Sequence, residues 1–379
     1  MTDPALPHGS LLPHETPLAD RHRALGASFT DFGGWSMPVR YSSDLAEHHA
    51  VRSAAGLFDI SHMAEFAVDG PGAGAFLDDA LAGRLSTMPV GKAKYSLLLA
   101  ESGGIIDDLI VYRLAEDSYF VVANAGNRVP VAAALAARSA GFDGAVVDVT
   151  DDYALIAVQG PAARTILEQT AGLASPARPL EELPYYAATE ASFRGARVLI
   201  ARTGYTGEDG FELYIEPSRA AELWDGLSEA GAPHGLVPAG LAARDTLRLE
   251  AGMPLYGHEL SLEVLPVQVG LGRVVAVDKE RFVGKAALES VVATDAPVLV
   301  GLVSDGRRAG RAGYAVVAAD GTPVGTVTSG ALSPTLGHPI AMALVAPSHA
   351  AVGIELALDV RGTRIPATVT DLPFYRRTK

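Results

Sequence analysis

The sequence has 379 residues, 49% of them hydrophobic and 20% charged, a composition typical of a globular protein with a large core and two or three domains. Its 30 Lys and Arg against 44 Asp and Glu give a formal charge of −14, which disfavours binding to nucleic acid and to anionic membranes. With no cysteine in the sequence, disulfides, a thiolate nucleophile and Cys-ligated zinc or iron–sulfur clusters are excluded.

The first dozen residues predict a loose arm, followed by a helix that starts near Thr16 and Pro17. The arm has no apolar segment behind a basic one, as a secretory signal would, so we expect a cytoplasmic protein. Apolar stretches elsewhere are interrupted before the ~18 residues that a membrane-spanning helix needs. No membrane span is predicted.

A repeat occupies the middle of the sequence. Residues 68–77 read V-D-G-P-G-A-G-A-F-L, and residues 158–167 read V-Q-G-P-A-A-R-T-I-L. Each copy predicts a strand, a Gly-Pro turn and a helix. A second pair of similar segments is separated by nearly the same number of residues. Each of these segments predicts a strand that leads into a helix, capped by Asn127 in the first and by Ser218 in the second. We interpret the repeat as two related α+β units, about residues 50–140 and 150–235, with a ligand between them.

The first repeat copy also satisfies the G-x-G-x-x-A pattern of dinucleotide-binding loops at residues 70–75. Pro71 lacks the amide that a phosphate would need, and Gly-Pro recurs in the second copy. We therefore predict a structural turn here rather than a cofactor loop.

Two adjacent acids, Asp107 and Asp108, stand at the entrance of the apolar strand predicted over residues 105–112. Side chains alternate along a strand, so only one acid can enter a common pocket, where it could accept a proton or stabilise a cation. The alternative is that both acids are simply polar residues beside the Gly103-Gly104 turn. The alternation of side chains along the strand does not decide which of the two acids points inward.

A glycine-rich segment at residues 203–210 leads into a strand that carries Glu212 on its polar face. In the simplest interpretation, Glu212 lies on a solvated face of the strand and has no functional role. In the functional interpretation, its carboxylate accepts paired N–H donors from a flat ring beside Tyr205. The helix predicted after Ala243 carries Arg244, whose simplest role is a surface salt bridge. No H-x-x-H or H-E-x-x-H pair occurs, so no metal site is predicted.

After about residue 295 the sequence changes to short β-rich runs separated by turn signals, which predict a small barrel or sandwich. Its loop at Arg307, Arg308 and Arg311 is a candidate basic docking surface, with a solvated turn as the alternative. A helix and linker over residues 285–297 precede it. The predicted strands cover residues 298–303, 314–319, 324–328, 340–345, 354–360 and 365–370.

Seven segments in order resemble the T-protein family of the glycine cleavage system, from about residue 14 to 377. They read DFGGWSMPVRY from residue 31, EHHAVR from 47, GLFDISHM from 56, GGIIDDLIVY from 103, RTGYTGEDGFE from 202, ARDTLRLEAGM from 243 and TSGALSPTLG from 328.

The resemblance implies an α+β fold of three domains arranged as a cloverleaf, with two related α/β units around a central folate hole and a C-terminal β-barrel-like domain. It divides the sequence into a folate-binding region, residues 14–285, and a barrel, residues 296–376. It also implies Asp107 as the catalytic acid and Arg244 and Arg376 as contacts of the folate glutamate tail. The implied pterin contacts are Met63, Tyr95, Asn124, Tyr205 and Glu212.

The implied reaction moves the methylene carbon of an aminomethyl group, carried on the dihydrolipoyl arm of H protein, to the co-substrate tetrahydrofolate. The products are 5,10-methylene-tetrahydrofolate, ammonia and dihydrolipoyl H protein. The alternatives are a folate-dependent demethylase of a small methylated substrate and a noncatalytic folate-binding protein. A related iron–sulfur assembly factor is recognised by a cysteine motif that this sequence lacks.

Overall fold

The structure, a computed structural model, describes residues 13–174, 176–290 and 295–377. The predicted N-terminal arm and part of the predicted linker, residues 291–294, lie outside the described residues. The described helices are α1 (Ala19–Ala24), α2 (Asp44–Ser53), α3 (Ala73–Ala80), α4 (Arg128–Arg138), α5 (Ala163–Gln169), α6 (Pro217–Gly231), α7 (Leu241–Glu250) and α8 (Lys285–Ser290).

The described strands form three open sheets and one closed barrel. In the first half of the sequence they are β1 (His14–Glu15), β2 (Ser28–Phe32), β3 (Trp35–Arg40), β4 (Ala55–Asp59), β5 (Ala64–Asp69), β6 (Ala93–Leu99), β7 (Ile105–Ala115), β8 (Ser118–Ala123), β9 (Ala145–Asp148) and β10 (Ala154–Gln159). In the second half they are β11 (Ala188–Phe193), β12 (Ala196–Ala201), β13 (Gly210–Ile215), β14 (Leu236–Pro238), β15 (Val298–Ser304), β16 (Ala315–Val317), β17 (Pro323–Leu332), β18 (Pro339–Val345), β19 (Glu355–Val360) and β20 (Thr363–Thr370).

The two central sheets repeat one topology. The first has the order β6-β7-β8-β5-β9 and the second β11-β12-β13-β10-β4-β14. β5 pairs antiparallel with β8, as β10 does with β13. In each unit, the first strand of the pair is followed in sequence by the Gly-Pro turn and then by a helix. The repeat predicted from the sequence therefore corresponds to a repeated order of strand pairing.

The leading strand of each unit is exchanged into the other unit's sheet. β4 and β9 stand at equivalent places in the repeat, but β4 pairs with β10 in the second sheet and β9 with β5 in the first. The bounds predicted for the two units, residues 50–140 and 150–235, therefore do not coincide with the sheets. Separating the units would break backbone pairing in both sheets, which ties them into one body.

A shared apolar cluster joins the facing surfaces of the two sheets. Tyr112 and Phe120 of the first sheet pack there with Leu199 and Tyr214 of the second. All four side chains are less than one-tenth exposed. Aromatic rings make much of this contact, and the Phe120 and Tyr214 rings meet edge to face with centroids 5.3 Å apart.

The Gly-Pro turns are structural. Gly70 and Gly160 have φ angles of 125° and 133°, a region that side chains rarely adopt. A Cβ on Gly70 would lie 2.6 Å from Gly144 Cα, and one on Gly160 would lie 2.5 Å from the Ala54 carbonyl oxygen. The close backbone packing at these turns explains why glycine recurs in both copies.

The predicted helix caps need correction. Asn127 occupies the N-cap position of α4, but its side chain makes no capping bond. α6 begins at Pro217 with Glu216 as its N-cap, so Ser218 lies inside the helix and the prediction for Ser218 was wrong. Proline suits the first helical position because it has no amide hydrogen to satisfy there.

The C-terminal domain is a closed six-stranded barrel with the order β15-β18-β17-β16-β19-β20. Each of its strands falls on a run predicted from the sequence, and closure decides between the barrel and the sandwich. Arg361 and Gly362, both with positive φ, form the two-residue turn between β19 and β20.

Buried polar contacts fix the barrel to the two units. Glu250, at the end of α7, is 0% exposed and accepts hydrogen bonds from Ser333 Oγ at 2.5 Å and Thr335 N at 3.0 Å. The same carboxylate pairs with Arg52 Nη2 of α2 at 2.7 Å. Arg248 Nη2 donates to Ser329 Oγ of β17 at 2.8 Å. Within the described residues, no helix is both long and apolar enough for a membrane span.

Candidate functional site

Asp107 is enclosed by the protein. The side chain is 0% exposed, and its carboxylate accepts hydrogen bonds from Asn124 N at 2.9 Å, Asn124 Nδ2 at 2.8 Å and Asn127 Nδ2 at 2.7 Å. Burial, with repulsion from Asp108, raises the pKa of Asp107 to about 7. Both of its carboxylate oxygens thus accept hydrogen bonds from the protein.

Asp108 points to the opposite face of β7 and retains partial exposure. Its Oδ2 accepts a hydrogen bond from the Tyr95 hydroxyl at 3.0 Å, and its Oδ1 accepts one from Asn124 Nδ2 at 2.8 Å. Burial raises the pKa of Asp108, while the bonds from Tyr95 and Asn124 oppose that rise. Asp108 thus has both solvent access and contact with two other predicted site residues.

The predicted catalytic acid Asp107 is therefore the fully buried member of the pair, and Asp108 is the partly exposed one. The two acids are held together by one amide, since Asn124 Nδ2 donates to both carboxylates. Asn127, which the sequence suggested as a helix cap, instead donates to Asp107 and to the Ile106 carbonyl oxygen. Asp107 is thus fully buried beside the partly exposed Asp108.

Aromatic rings stand beside Asp108. Burial raises the pKa of Tyr95, and so do the charge and hydrogen bond of Asp108, with smaller effects from Tyr205 and Tyr186. Tyr205 donates its hydroxyl proton to the Pro254 carbonyl oxygen at 2.5 Å. Tyr186 has a positive φ of 56°, a strained conformation for tyrosine that is typical of functional sites. The three rings and Asp108 form one neighbourhood at the junction of the two sheets.

Glu212 of β13 supplies a second carboxylate. It is 7% exposed, so the solvated strand face considered for it is excluded. Burial raises the pKa of Glu212, while a hydrogen bond from Thr203 and the charge of Arg244 oppose the rise. Thr203 Oγ1 donates to Oε2 at 2.5 Å, and Oε1 has no hydrogen-bond partner in the part of the protein that the structure describes.

Arg244 of α7 brings a positive charge with no anion in contact. Its guanidinium lies over the Tyr205 ring, 5.1 Å from the centroid, and Nη1 is buried without a hydrogen-bond partner. Within residues 13–174, 176–290 and 295–377 its side chain makes no hydrogen bond or ion pair, so the expected surface salt bridge is absent. Burial lowers the pKa of Arg244, opposed by Glu212 and Tyr205.

His62 is a site residue that the sequence did not single out. It is 3% exposed, its Nδ1 has no hydrogen-bond partner, and its ring meets that of Phe32 edge-on at 5.4 Å. Burial and then the charge of Arg244 lower the pKa of His62 to about 4, so the imidazole is neutral at pH 7. The predicted contact Met63 follows it and packs, partly buried, against the cluster that joins the sheets.

Arg376 makes no hydrogen bond or ion pair with the other predicted site residues among those that the structure describes. Its side chain is exposed and makes no hydrogen bond or ion pair with any residue that the structure describes. The neighbouring Tyr375 instead packs its ring under the Arg52 guanidinium, 4.0 Å from the centroid. The remaining predicted residues lie on strands or segments that border the junction of the two sheets; they are Met63, Tyr95, Asn124, Tyr205, Glu212 and Arg244.

The site combines two carboxylates, one unpaired guanidinium and several phenol rings. Such a set suits an elongated ligand with a flat, N–H-bearing ring and an anionic or carbonyl oxygen. No group of three or more His, Cys, Asp or Glu side chains that could hold a metal occurs among the described residues.

Comparison with known proteins gives consistent matches over both parts of the chain. The family model described as the GCVT N-terminal domain matches residues 18–279, and the model of the glycine cleavage T-protein C-terminal barrel domain matches residues 298–376. An aminomethyltransferase of Cutibacterium acnes is 56% identical over 96% of this chain and 98% of the relative. One from Saccharopolyspora erythraea is also 56% identical, over 96% and 99%.

A solved structure is similar over the whole length. The crystal structure of the glycine cleavage system aminomethyltransferase T from Bartonella henselae superposes with a TM-score of 0.89 at 38% sequence identity. The match covers 96% of this chain and 99% of that one.

Proposed function

The chain belongs to the glycine cleavage T-protein family of aminomethyltransferases, and we propose that its acceptor is tetrahydrofolate. We further propose that its donor is the aminomethyl group on the dihydrolipoyl arm of an H protein. The products would be 5,10-methylene-tetrahydrofolate, ammonia and dihydrolipoyl H protein.

The observation that carries the proposal is the pair of polar groups left without partners at the site. Glu212 Oε1 has no donor and the Arg244 guanidinium has no acceptor within the described residues; Glu212 is 7% exposed, and the partly exposed Arg244 has a buried Nη1 atom. A buried polar atom without a partner, such as Arg244 Nη1, is rare in folded proteins and supports a ligand contact at this place. The pterin of folate offers adjacent N–H donors for Glu212, and its glutamate tail offers carboxylates for Arg244.

The ring contacts assigned to Met63, Tyr95, Asn124 and Tyr205 also suit this ligand. The Arg244 guanidinium covers one face of the Tyr205 ring, and the Tyr205 hydroxyl donates to the Pro254 carbonyl oxygen; together these contacts fix the ring. Tyr95 is held by Asp108 through its hydroxyl. Phenol rings in fixed orientations provide flat apolar surfaces for a heteroaromatic ring at little cost in side-chain entropy.

The proposed transfer conserves atoms without a protein nucleophile. N5 of tetrahydrofolate forms a bond to the methylene carbon as the bond from that carbon to the amino group breaks. The carbon–sulfur bond then breaks, and N10 closes on the cationic methylene. The protons lost from N5 and N10 leave with ammonia and with the dihydrolipoyl thiol.

Asp108 is the residue that we assign to the developing cation and to the folate protons. Asp108 is partly exposed, and Tyr95 and Asn124 hold its carboxylate in place. A fixed negative charge beside a cationic methylene lowers the barrier electrostatically, often the largest contribution to catalysis. Asp107 assists indirectly, because it anchors the same Asn124 amide.

The test is the formation of ammonia and 5,10-methylene-tetrahydrofolate from aminomethylated H protein. We expect both products in equal amounts, with no turnover of small methylated amines. Turnover of a small methylated donor, with none on H protein, would identify the demethylase instead. Folate binding without either reaction would indicate a noncatalytic binding protein.

A variant of Arg244 tests the orientation of the folate. Arg244→Gln should weaken the binding of tetrahydrofolate more than the binding of tetrahydropteroate, which lacks the glutamate tail. Equal weakening of both ligands would show that Arg244 contacts the pterin rather than the tail.

A further inference from the structure

Three buried hydroxyl groups connect in series to Glu212. Tyr214 donates its hydroxyl proton to the Tyr112 oxygen at 3.3 Å, Tyr112 lies 3.1 Å from Thr203 Oγ1, and Thr203 donates to Glu212 Oε2 at 2.5 Å. We call Tyr214, Tyr112 and Thr203 the hydroxyl series. All three side chains are at most 1% exposed, so bulk water does not substitute for any of these contacts.

The direction of these hydrogen bonds is set by the carboxylate at their end. An ionised carboxylate only accepts, so Thr203 must donate to Glu212 and can accept from Tyr112. Burial is the main cause that raises the pKa of both Tyr112 and Tyr214, so both phenols keep their protons at neutral pH. Each tyrosine therefore donates once, and every donor of the series points towards Glu212.

The series also crosses between the two units. Tyr112 lies on β7 of the first sheet, whereas Tyr214 lies on β13 of the second sheet and Thr203 lies in the loop between β12 and β13. Its ring contacts reinforce this position, since the Tyr112 and Tyr214 rings meet edge to face at 6.0 Å. The position of Glu212 relative to Asp108 on β7 is thereby linked through side chains as well as through the sheets.

Other groups face Glu212 without bonding to it. Arg244 of α7 attracts its negative charge, and the pKa values of Tyr185 and Tyr186, ahead of β11, are raised partly by that charge. None of these three donates a hydrogen bond to Glu212 within the described part of the protein. Thr203 is the one described donor to this carboxylate.

We propose that the hydroxyl series is a positioning device that keeps the Glu212 carboxylate ionised and aimed at the pterin. The proposal deepens the proposed function and rests on it, because it assigns the folate affinity in part to residues that do not touch folate. Donors directed at a carboxylate stabilise its charged form, and aligned hydroxyl groups polarise one another. Without these hydroxyl donors, burial would favour the protonated form of Glu212. A protonated carboxyl group presents an O–H donor to the pterin N–H groups, which are donors themselves.

Thr203→Val removes the last hydroxyl at nearly constant volume. The pKa of Glu212 should then rise, so the variant should bind tetrahydrofolate progressively less well as the pH falls. We expect the Kd of Thr203→Val at pH 6 to exceed that of the wild type by about tenfold, and the difference to shrink to about twofold at pH 8. Calorimetric titration under anaerobic conditions measures both values. Thr203→Ser, which retains the hydroxyl, should restore the wild-type profile.

Thr206→Val is the matched control. Thr206 belongs to the same loop and is 0% exposed, but its hydroxyl donates to Gln159 Oε1 at 3.0 Å rather than to Glu212. Its removal should leave the pH dependence of folate binding unchanged. Tyr112→Phe, one step further from Glu212, should give a smaller shift in the same direction as Thr203→Val and covers the case in which that variant does not fold.

The outcomes separate this proposal from the proposed function. If the wild type fails to bind tetrahydrofolate, the proposed function itself is wrong. If the wild type binds and Glu212→Gln weakens binding, but Thr203→Val and Tyr112→Phe show the wild-type pH profile, the hydroxyl series is only structural. A pH-independent loss in Thr203→Val, equal to that of Thr206→Val, would also overturn the proposal.

Discussion

Asp107 and Asp108 are adjacent in sequence but have different surroundings, and their exchange for asparagine should therefore have different effects. Asp108→Asn removes charge beside the proposed cationic methylene and should lower kcat by about 100-fold or more, with little change in folate affinity. Single-turnover measurement of methylene-tetrahydrofolate formation checks this.

Asp107→Asn provides the comparison. Its carboxylate accepts three N–H bonds, and an amide there would turn a donor against the Asn124 or Asn127 donors. We expect a loss of stability in urea unfolding and a smaller loss of kcat than in Asp108→Asn. A fully stable Asp107→Asn variant with the larger loss of kcat would return the catalytic role to Asp107.

Glu212→Gln tests the pterin contact. The amide keeps one oxygen but offers an NH₂ group where the pterin also offers donors, so tetrahydrofolate binding should weaken by roughly 1–3 kcal/mol. Calorimetry measures the change in Kd. An unchanged affinity would leave the buried carboxylate without a role in folate binding.

At the scale of single residues, the sequence motifs predicted which chemical groups the site contains better than they predicted the contacts of those groups. A carboxylate at Glu212 and a guanidinium at Arg244 followed from the resemblance, and the structure places both at the junction of the sheets. The choice between Asp107 and Asp108 required the face of β7, which depends on pairing with β6 and on an irregularity between Leu98 and Leu99. His62 carried no signal in the sequence, because its lack of partners emerges only from packing.

The start of β7 depends on close backbone contact at Gly104. A Cβ on this residue would lie 1.7 Å from the Leu262 carbonyl oxygen, so Gly104→Ala must displace the strand that carries Asp108. We expect a loss of about 3 kcal/mol in the free energy of unfolding, measured with urea, together with weaker folate binding. Gly272→Ala, whose nearest atom would be 3.9 Å away, should change stability by less than about 0.5 kcal/mol. Equal stability of the two variants would contradict this packing.

Secondary-structure elements were predictable where the signal was local. The barrel strands follow from alternating apolar residues and two-residue turns such as Arg361-Gly362, which fix pairing between neighbours in sequence. The exchange of β4 and β9 was not predictable, because each strand pairs with a partner outside its own unit. Long-range pairing of this kind is decided by the assembled core rather than by local pattern.

The barrel and the two units should unfold together because Glu250 links them. Burial alone would raise the pKa of Glu250, but His48, Ser333 and Arg52 lower it to about 2. A depressed pKa means that the stabilisation is present above the unfolded value of about 4.5 and is lost as the pH falls towards 2. Glu250→Gln should cost about 3 kcal/mol at pH 7, measured by urea unfolding, and the gap from the wild type should narrow at pH 3.

The exposed Glu222 supplies the control for that experiment. Among the residues that the structure describes, its carboxylate pairs with two exposed or partly exposed arginines, so Glu222→Gln should be nearly neutral at both pH values. A constant gap between Glu250→Gln and the wild type from pH 7 to pH 3 would show that the ionised carboxylate does not hold the barrel in place.

Docking of a carrier protein concerns the surface of the whole molecule. A net charge of −14 repels an acidic carrier, so docking of one would require a local basic area, and the exposed Arg307 and Arg308 provide one on the barrel. Arg307→Glu with Arg308→Glu should raise the KM for aminomethylated H protein about tenfold and weaken its salt dependence. Turnover of free aminomethyl-dihydrolipoate should be unchanged.

A second pair of exposed barrel arginines controls for net charge. Arg361→Glu with Arg364→Glu changes the total charge equally at a different hairpin and should leave the KM for H protein within about twofold. The same increase of the KM for H protein in both double variants would show that the overall charge causes the effect, rather than Arg307 and Arg308 in particular. Equal loss with H protein and with the free donor would assign Arg307 and Arg308 to folding or chemistry.

The central claim is that tetrahydrofolate binds at the junction of the two sheets with its reacting nitrogens beside Asp108. A crystal structure of the complex with tetrahydrofolate tests this most directly. We predict pterin N–H groups within about 3.2 Å of the Glu212 carboxylate, N5 and N10 on the side of Asp108, and a tail carboxylate on Arg244. Folate bound elsewhere, or bound here with N5 and N10 turned away from Asp108, would contradict the account.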